Sequence, residues 1–250
     1  MRLSVISSTA DILSVPAEPD IIAQKDSQLI YGEEFQVEKS HGAYVYGHSV
    51  LDGYKGYIER EQLAEDIPSV TSYVSVHSSH LYPRPSFKTR PVMALSFMSR
   101  LALIDTEENG FVQTHDGLWI YKDHVTQFSK QKKNKDLVQM AELYLGTPYY
   151  FGGRSSFGID CAGLVQQTMV ACGYDCPPRD SCDQEGAFGK EVKRDEIRRN
   201  DIVYFKGHVG IMVDEKNIIN ATARHMTTLI EPLELLEDAY EGGISCVVRL

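Results

Sequence analysis

A strand-and-turn pattern that occurs twice in the first half of the chain restricts its fold more than any other feature. The stretch AYVYGHSVLDGYKGYIEREQLA, residues 43–64, lines up with GFVQTHDGLWIYKDHVT, residues 110–126. Both stretches alternate apolar and polar residues on either side of tight turns, which is typical of antiparallel strands and not of helices. Turns are expected at His41-Gly42, Asn109-Gly110 and Asp116-Gly117. We therefore predict two small β-barrels that arose by internal duplication.

The composition changes after Phe128, which indicates a domain of a different kind. A polar, basic stretch at 129–136 is interpreted as a solvated linker. Five apolar residues then follow helical spacing: Leu137, Met140, Ala141, Tyr144 and Leu145. Strand-like stretches come later (NDIVYF, HVGIMVD, NIINAT and ISCVVRL), so this part is predicted to be α+β. The predicted domains are a first barrel at 1–66, a second at 67–129 and an α+β domain at 130–250, with the barrels joined near 64–73.

Charge and cysteine content exclude several classes of protein. The formal net charge is −10 and the pI is near 5.3, which argues against nucleic-acid binding and against attraction to anionic membranes. The cysteine count of 5 is odd, so a fully paired disulfide framework is excluded and a reducing compartment fits better. The first twenty residues lack an apolar signal-peptide core, and no stretch is apolar for long enough to span a membrane. We predict a cytoplasmic protein.

The stretch GIDCAGLVQQ, residues 158–167, places a cysteine at the start of a predicted helix. Asp160 is a plausible N-cap, and Gly173 offers a stop. The helix start favours negative charge, so it would lower the pKa of the Cys161 thiol and create a nucleophile. The alternative is a buried, inert cysteine in a core helix.

A nucleophilic cysteine needs a base, and the base needs a group that orients its ring. His208 begins a predicted strand, and Asn220 lies in the next one, so antiparallel pairing would bring them side by side. The Asn220 amide oxygen could then accept the second imidazole N–H. The alternatives are a structural histidine and an asparagine at a strand edge or turn.

Other candidate sites are weaker. Cys172, Cys176 and Cys182 do not match a zinc pattern, and GGRSSFG lacks the lysine of a phosphate loop. Trp119 and the barrel aromatics are interpreted as core and cross-strand pairs rather than a sugar platform. We predict no metal site and no cofactor.

Three blocks of the C-terminal half carry a family resemblance: GTPYYFGGRSSFGIDCAGLVQ, RNDIVYFKGHVGIM and IINATARHM. They resemble the signature blocks of NlpC-type cell-wall cysteine peptidases, which are papain-like enzymes that cut peptidoglycan stem peptides. PPRDSCDQ is similar to a further loop of that family. The N-terminal barrels resemble the bacterial SH3-like domains of one branch, in which the sequences found here as Tyr31-Gly32-Glu33 and DGYKGY, residues 52–57, belong to the first barrel.

The resemblance implies catalytic roles for four residues. Cys161 attacks the scissile carbonyl, and His208 is the base. Asn220 stands where the family usually has His, although Asn and Gln also occur there. Tyr149 matches an active-site tyrosine near the oxyanion, and the Cys161 backbone N–H could supply the other oxyanion contact.

The resemblance also implies a receptor for a free α-amine. Asp160, with Glu33 and Tyr54 of the first barrel, would hold the ammonium of an N-terminal L-Ala, so that this barrel forms one wall of the active site. The alternative for Glu33 is an ordinary exposed turn residue beside Glu34. Ala162 departs from the family, which commonly has Ser after the cysteine.

We therefore expect a papain-like α+β catalytic domain preceded by two SH3-like barrels. The expected function is hydrolysis of the γ-D-Glu–diamino acid bond in murein peptides of the L-Ala-γ-D-Glu-diaminopimelate type, in cell-wall peptide recycling. Two alternatives remain open at this point: a peptidoglycan hydrolase that acts on intact wall, and a non-catalytic module that binds wall or a protein partner.

Overall fold

The computed structural model describes residues 1–17, 23–65, 68–131 and 136–250. Contacts divide the chain into two compact units, Met1–Gln131 and Lys132–Leu250. The predicted boundary between residues 66 and 67 and half of the predicted basic linker, residues 132–135, lie outside the described residues. The division of the first unit into barrels at 1–66 and 67–129 therefore stays a prediction.

Seven strands of the first unit form one antiparallel sheet. They are Arg2–Val5 (β1), Thr9–Leu13 (β2), Lys25–Ile30 (β3), Glu34–His41 (β4), Tyr44–Ser49 (β5), Lys55–Glu59 (β6) and Leu63–Ala64 (β7), in the spatial order β3-β2-β6-β5-β4-β1-β7. The hairpin predicted around His41-Gly42 is confirmed, because His41 pairs with Tyr44 at the end of the β4–β5 ladder. Gly42 has φ +59°, which suits glycine in a tight turn.

Alternation along these strands builds the core of the sheet. In β2, Ala10 and Ile12 are fully buried while their neighbours are partly exposed. The same period of two places one apolar cluster on the inner face: Leu3, Val5, Ala10, Ile12, Leu29, Phe35, Val45, Ile58 and Leu63. Each large side chain buried in this way contributes about 1.5–3 kcal/mol, so this cluster is the main stabilising feature of the sheet.

Eight shorter strands make the rest of the first unit. They are Ser72–Val74 (β8), Ser78–Leu81 (β9), Met93–Ser96 (β10), Arg100–Leu101 (β11), Leu103–Glu108 (β12), Phe111–Thr114 (β13), Trp119–Tyr121 (β14) and Val125–Gln127 (β15), in sheets ordered β10-β9, β11-β8-β15 and β12-β13-β14. The turns predicted at Asn109-Gly110 and Asp116-Gly117 connect β12, β13 and β14 as expected. Trp119 is buried and paired across strands, as predicted.

The two aligned stretches share one local feature, and the duplication itself stays a prediction. Each half of the first unit has a strand that runs into a single 3₁₀ turn, Arg60–Gln62 in one and Lys122–His124 in the other, and then into a second strand. The residue before the turn has φ −60°, ψ 124° in one half and φ −64°, ψ 127° in the other. The two aligned stretches therefore share the conformation of this turn and of the residue before it.

The second unit has one six-stranded antiparallel sheet, ordered β18-β23-β19-β20-β21-β22, and a separate two-stranded ribbon, β16-β17. The strands are Arg154–Ser155 (β16), Gly158–Ile159 (β17), Lys190–Glu191 (β18), Ile202–Phe205 (β19), His208–Met212 (β20), Asn217–Thr222 (β21), Thr227–Pro232 (β22) and Ile244–Arg249 (β23). The α-helices are Leu137–Ala141 (α1), Cys161–Ala171 (α2), Ser181–Gln184 (α3) and Leu233–Ala239 (α4). The four predicted strands are β19, β20, β21 and β23; the sequence analysis missed β22 and α4.

The predicted first helix is shorter than its apolar spacing suggested. After α1 the chain tightens into a 3₁₀ turn at Glu142–Tyr144, because Gly146 at φ +79° ends the helical path. Leu145 is therefore 44% exposed and does not join the buried face. Leu137, Ala141 and Tyr144 are buried as predicted.

Helix α2 is buried on nearly every side. Besides the predicted apolar positions, Gln166 and Gln167 are buried, and their side-chain amides donate to the Pro177 and Arg154 carbonyls at 2.9 and 2.6 Å. The helix ends at Cys172, and Gly173 follows at φ +79°, which confirms the predicted stop. Among the described residues, no helix has the length and hydrophobicity that spanning a bilayer requires.

Candidate active site

The first turn of α2 holds the predicted nucleophile. Asp160 is the N-cap, and its carboxylate accepts the Gly163 N–H at 2.7 Å, as predicted. Cys161 is the first helical residue and is 8% exposed. A backbone N–H of Val209 points at the sulfur, and Val209 directly follows His208. The sulfur therefore lies at the start of β20, where the predicted base is.

The prediction that the helix start lowers the pKa of Cys161 is wrong in its net direction. Burial raises the pKa of this thiol to about 12, and the Asp160 carboxylate adds to the rise. The N–H groups of Val209 and Ala162 and the nearby Arg179 lower it, but they do not outweigh desolvation. Cys161 thus rests as a neutral thiol and needs a base to remove its proton.

His208 and Asn220 are brought together by the β20–β21 ladder. Ile211 pairs with Ile219 in that ladder, so Asn220 falls opposite Gly210, two residues from His208 and on the same face. The Nε2 atom of His208 lies 3.0 Å from Oδ1 of Asn220, and both residues are buried. The two side chains are diagonal neighbours rather than directly opposite, and the predicted hydrogen bond between them is present.

This hydrogen bond determines which imidazole nitrogen is free to accept a proton. An amide oxygen only accepts, so Nε2 carries the proton and Nδ1 is free to take one. Burial lowers the pKa of His208 to about 4, against the smaller raising effects of Asn220 and Glu231. His208 is therefore neutral, and able to act as a base, at any pH well above 4.

Gly210 leaves the room that this diagonal arrangement needs. A Cβ added at 210 would come within 2.7 Å of the Ile218 side chain and 3.0 Å of the Ile219 carbonyl oxygen. A larger residue would thus push β20 and β21 apart at the point where His208 and Asn220 meet.

Asp160 is held by more groups than its capping role requires. Its two oxygens accept a fork of hydrogen bonds from Arg179 at 3.0 and 2.5 Å, and also the Gly152 N–H at 2.8 Å. Both side chains are almost fully buried. Arg179 belongs to the loop PPRDSCDQ, residues 177–184, and no local pattern predicts its pairing with Asp160. Its guanidinium already neutralises Asp160, whose predicted part in holding a substrate amine stays a prediction.

Two glycines of the FGG motif, residues 151–153, hold the Asp160 carboxylate in position. Gly152, at φ +72°, turns its N–H toward the carboxylate. A Cβ on Gly153 would come within 2.5 Å of the Gly158 carbonyl oxygen. The motif therefore brings two backbone segments close together around the N-cap of α2.

Tyr149 is attached to the same region. Its N–H donates to the Met226 carbonyl at 3.0 Å, and it bridges to Ile159, two residues before Cys161. Burial and the nearby Cys161 and Asp160 raise the pKa of its phenol well above the usual range. Its hydroxyl therefore remains a proton-bearing donor, as an oxyanion contact requires.

Tyr240 is a site residue that the sequence analysis missed. Its ring stacks on the His208 imidazole with centroids 4.7 Å apart and planes 6° from parallel. Burial raises the pKa of its phenol, and the nearby Thr222 side chain lowers it in part. Tyr240 follows α4 in a stretch with no periodic signal, so only the fold could reveal it.

The predicted first-barrel residues lie in the other unit. Glu33 is 2% exposed, and its carboxylate accepts the Ile30 N–H at 3.0 Å. The alternative of an ordinary exposed turn residue is therefore wrong. Tyr54 is half-buried against the core of the seven-stranded sheet, and its N–H donates to Asp52 at 3.1 Å. Their predicted part in amine binding stays a prediction.

The cysteines and the metal-binding side chains suggest no second centre. No disulfide joins any of the five cysteines. Within residues 1–17, 23–65, 68–131 and 136–250, no three His, Cys, Asp or Glu side chains cluster closely enough to hold a metal ion.

The site thus combines a thiol at a helix start, an imidazole on the adjoining sheet and an amide that orients the imidazole. This is the arrangement of a papain-like cysteine hydrolase. The sequence pattern of the NlpC/P60 family matches residues 146–238, and that of the bacterial dipeptidyl-peptidase Sh3 domain matches residues 17–63. The chain is 32% identical to the gamma-D-glutamyl-L-lysine dipeptidyl-peptidase of Bacillus subtilis (strain 168), over 89% of this chain and 80% of that protein. The chain belongs to the NlpC/P60 family.

Further comparisons agree with this assignment. Dipeptidyl-peptidase 6 of Lysinibacillus sphaericus is 24% identical, over 99% of this chain and 97% of that protein. The crystal structure of an NlpC/P60 family protein from Bacillus cereus ATCC 10987 has the same fold, with a TM-score of 0.83 at 21% identity, and covers 100% of this chain and 99% of the other. The predicted papain-like fold with an SH3-like domain before it and the predicted cysteine peptidase class are confirmed. The non-catalytic alternative is set aside.

Removing the orienting amide is expected to cost less activity than removing the base. Asn220→Ala leaves Nδ1 of His208 able to take a proton part of the time, whereas His208→Ala removes general-base catalysis, which is typically worth ~10²–10⁴-fold. Comparing kcat for the two variants on one peptide checks this order. If Asn220→Ala loses as much as His208→Ala or more, Asn220 does more than orient the ring.

Proposed function

We propose that this protein is an endopeptidase that hydrolyses the bond between γ-D-Glu and the following diamino acid in murein peptides with a free N-terminal L-Ala. It would act in the cytoplasm, in cell-wall peptide recycling. The observation that carries the proposal is the buried His208–Asn220 hydrogen bond at 3.0 Å, beside a thiol at a helix start. The relatives named gamma-D-glutamyl-L-lysine dipeptidyl-peptidase support the choice of bond.

The proposed reaction begins from a neutral pair. Nδ1 of His208 takes the proton of Cys161 as the sulfur attacks the γ-carbonyl of D-Glu. The Cys161 backbone N–H and the Tyr149 hydroxyl would stabilise the oxyanion. The imidazolium then protonates the leaving amine of the diamino acid, and water, activated by His208, hydrolyses the thioester. Asn220 holds the ring throughout and stabilises its charged form.

Recognition of a free α-amine is what separates peptide recycling from attack on intact wall. In intact peptidoglycan the L-Ala nitrogen is an amide and carries no charge. An ammonium that enters a partly dry cleft needs an opposed charge. Arg179 already neutralises Asp160, so we propose that the buried carboxylate of Glu33 supplies this charge and that Tyr54 adds its hydroxyl and ring face.

A defined tripeptide and its N-acetylated twin test the proposal. Mass spectrometry should show the L-Ala-γ-D-Glu dipeptide released from the free peptide and much slower release from the twin. Purified sacculi should release almost no soluble fragments under the same conditions. Release from sacculi at a comparable rate would contradict recycling and favour the hydrolase of intact wall.

Replacing Glu33 with Gln is expected to weaken this recognition. The change keeps the size of the side chain and removes its charge, and a hydrogen bond to a charged group is worth about 1.5–3 kcal/mol. We therefore expect kcat/KM on the free tripeptide to fall by roughly 10- to 150-fold, while discrimination against the N-acetylated twin shrinks. Glu34→Gln is the matched control, because Glu34 is partly exposed and lies 3.7 Å from Arg2. Wild-type efficiency and selectivity in Glu33→Gln would show that the barrel does not bind the amine.

A further inference from the structure

The polar contacts of the site continue past Asn220 to a buried acid. The Nδ2 atom of Asn220 donates to Oε1 of Glu231 at 3.1 Å. Nη1 of Arg224 donates to the same oxygen at 3.3 Å, and Nε2 of His225 lies 3.8 Å from the other one. The Glu231 side chain is 5% exposed. This carboxylate therefore has a cation on its solvent side and the Asn220 amide on its inner side.

The three side chains form a diagonal row across three neighbouring strands. In the β21–β22 ladder Ile218 pairs with Glu231 and Asn220 pairs with Leu229, so Glu231 is a diagonal neighbour of Asn220, just as Asn220 is of His208. Side chains at such positions share one face and stay within reach of each other. The row is therefore set by the register of the three strands.

The hydrogen bond to Glu231 fixes the orientation of the Asn220 amide, which would otherwise be ambiguous. An amide can present either its oxygen or its NH₂ group to a neighbour, and the two ends have nearly the same shape. A carboxylate paired with arginine only accepts, so it binds the NH₂ end. The oxygen must then face His208, and Nε2 must carry the ring proton.

We propose that Glu231 is a positioning residue, which holds the Asn220 amide in the one orientation that leaves Nδ1 of His208 free to act as the base. With the amide reversed, its NH₂ would face Nε2, and the neutral ring would carry its proton on Nδ1, where no proton could be taken from Cys161. The inference rests on the proposed function for its kinetic consequence, but its structural claim concerns only the tautomer of His208.

Charged and titratable groups surround His208 from several elements. Asp160 and Cys161 belong to the start of α2, Glu231 to β22, Arg224 to the turn before β22, and Tyr240 to the residue after α4. Glu231 and Asp160 raise the pKa of His208, and Arg224 lowers it. Burial outweighs all of them, so the ring is neutral at pH 7 and its tautomer can be measured there.

The test measures the tautomer without substrate. In ¹⁵N-histidine-labelled protein at pH 7, we expect the ring of His208 to show a proton on Nε2 alone. In Glu231→Leu the acceptor is gone, and in Glu231→Gln the side chain can bind either end of the amide. Both variants should therefore show His208 protonated on Nδ1 in part of the molecules. Glu231→Gln preserves the size of the side chain, so it remains informative if Glu231→Leu does not fold.

Kinetics on the tripeptide give the second readout. Losing a hydrogen bond to a charged group removes the preference between the two amide orientations, so about half of the molecules should hold the amide reversed. We therefore expect kcat to fall by about twofold while KM stays close to the wild-type value. Glu234 is an exposed acid on α4, so Glu234→Gln is the control. Its kcat and KM should match those of the wild type. An unchanged tautomer and wild-type kcat in both Glu231 variants would overturn the inference. If the wild type fails to cleave any murein peptide but the tautomer shifts as expected, the proposed function falls and the positioning role stands.

Discussion

Replacing Cys161 with alanine is expected to abolish peptide hydrolysis and leave the fold intact. Alanine fills most of the space of the buried thiol, but it has no sulfur with which to form the acyl intermediate. We expect kcat to fall by about 10⁴-fold or more, because removing a nucleophile also makes the base and its orienting group useless. Dipeptide release followed by mass spectrometry measures the loss, and circular dichroism checks the fold.

Cys182→Ala is the matched control for this experiment. Cys182 is exposed in the second unit, and its sulfur contacts the carboxylate of the neighbouring Asp183. Its loss should leave kcat within about twofold of the wild type. Activity of Cys161→Ala within tenfold of the wild type would mean that another residue is the nucleophile.

Replacing Arg179 with leucine is expected to have the largest effect on stability. The Arg179–Asp160 pair is almost fully buried. Removing one partner leaves an uncompensated charge in the interior, which typically costs about 3–5 kcal/mol. The free energy of unfolding from urea titration measures this effect, and the loss should be partly recovered in Arg179→Leu/Asp160→Asn, since Asn still caps a helix and carries no charge.

An exposed ion pair in the same unit provides the comparison. Arg199 pairs with Asp136 at 3.0 Å, with both side chains about 40% exposed (41% and 39%). Arg199→Leu should therefore cost only about 0–1 kcal/mol. If Arg179→Leu and Arg199→Leu lower the free energy of unfolding equally, the buried pair contributes no more stability than a surface pair. It then does not hold the start of α2 in place.

The resting charges of the site show how local and tertiary effects compete. A helix start alone favours a thiolate, and the N–H of Ala162 does lower the pKa of Cys161. The whole fold buries the sulfur, and desolvation raises the pKa to about 12. Burial depends on how α2 packs against β20, so the local pattern around Cys161 left open how deeply the sulfur is buried.

Patterns within a few residues determined much of this protein. Period-two alternation and Gly turns specified the strands of the first unit, and the aligned stretches specified the matching 3₁₀ turns. Asp160 before Cys161 specified the start of α2, and Gly173 its end. These features could be predicted because each depends on backbone conformation and side chains that are close in sequence.

Only the tertiary structure decided what surrounds those residues. Arg179 reaches Asp160 from a loop, Tyr240 stacks on His208 from beyond α4, and Glu231 reaches Asn220 through a strand that the sequence analysis missed. Each contact depends on strand register or on how helices pack against the sheet, and these depend on the whole set of buried side chains. For this reason the sequence by itself identified the nucleophile, the base and the orienting amide as candidates, whereas their protonation states and supporting partners required the folded chain.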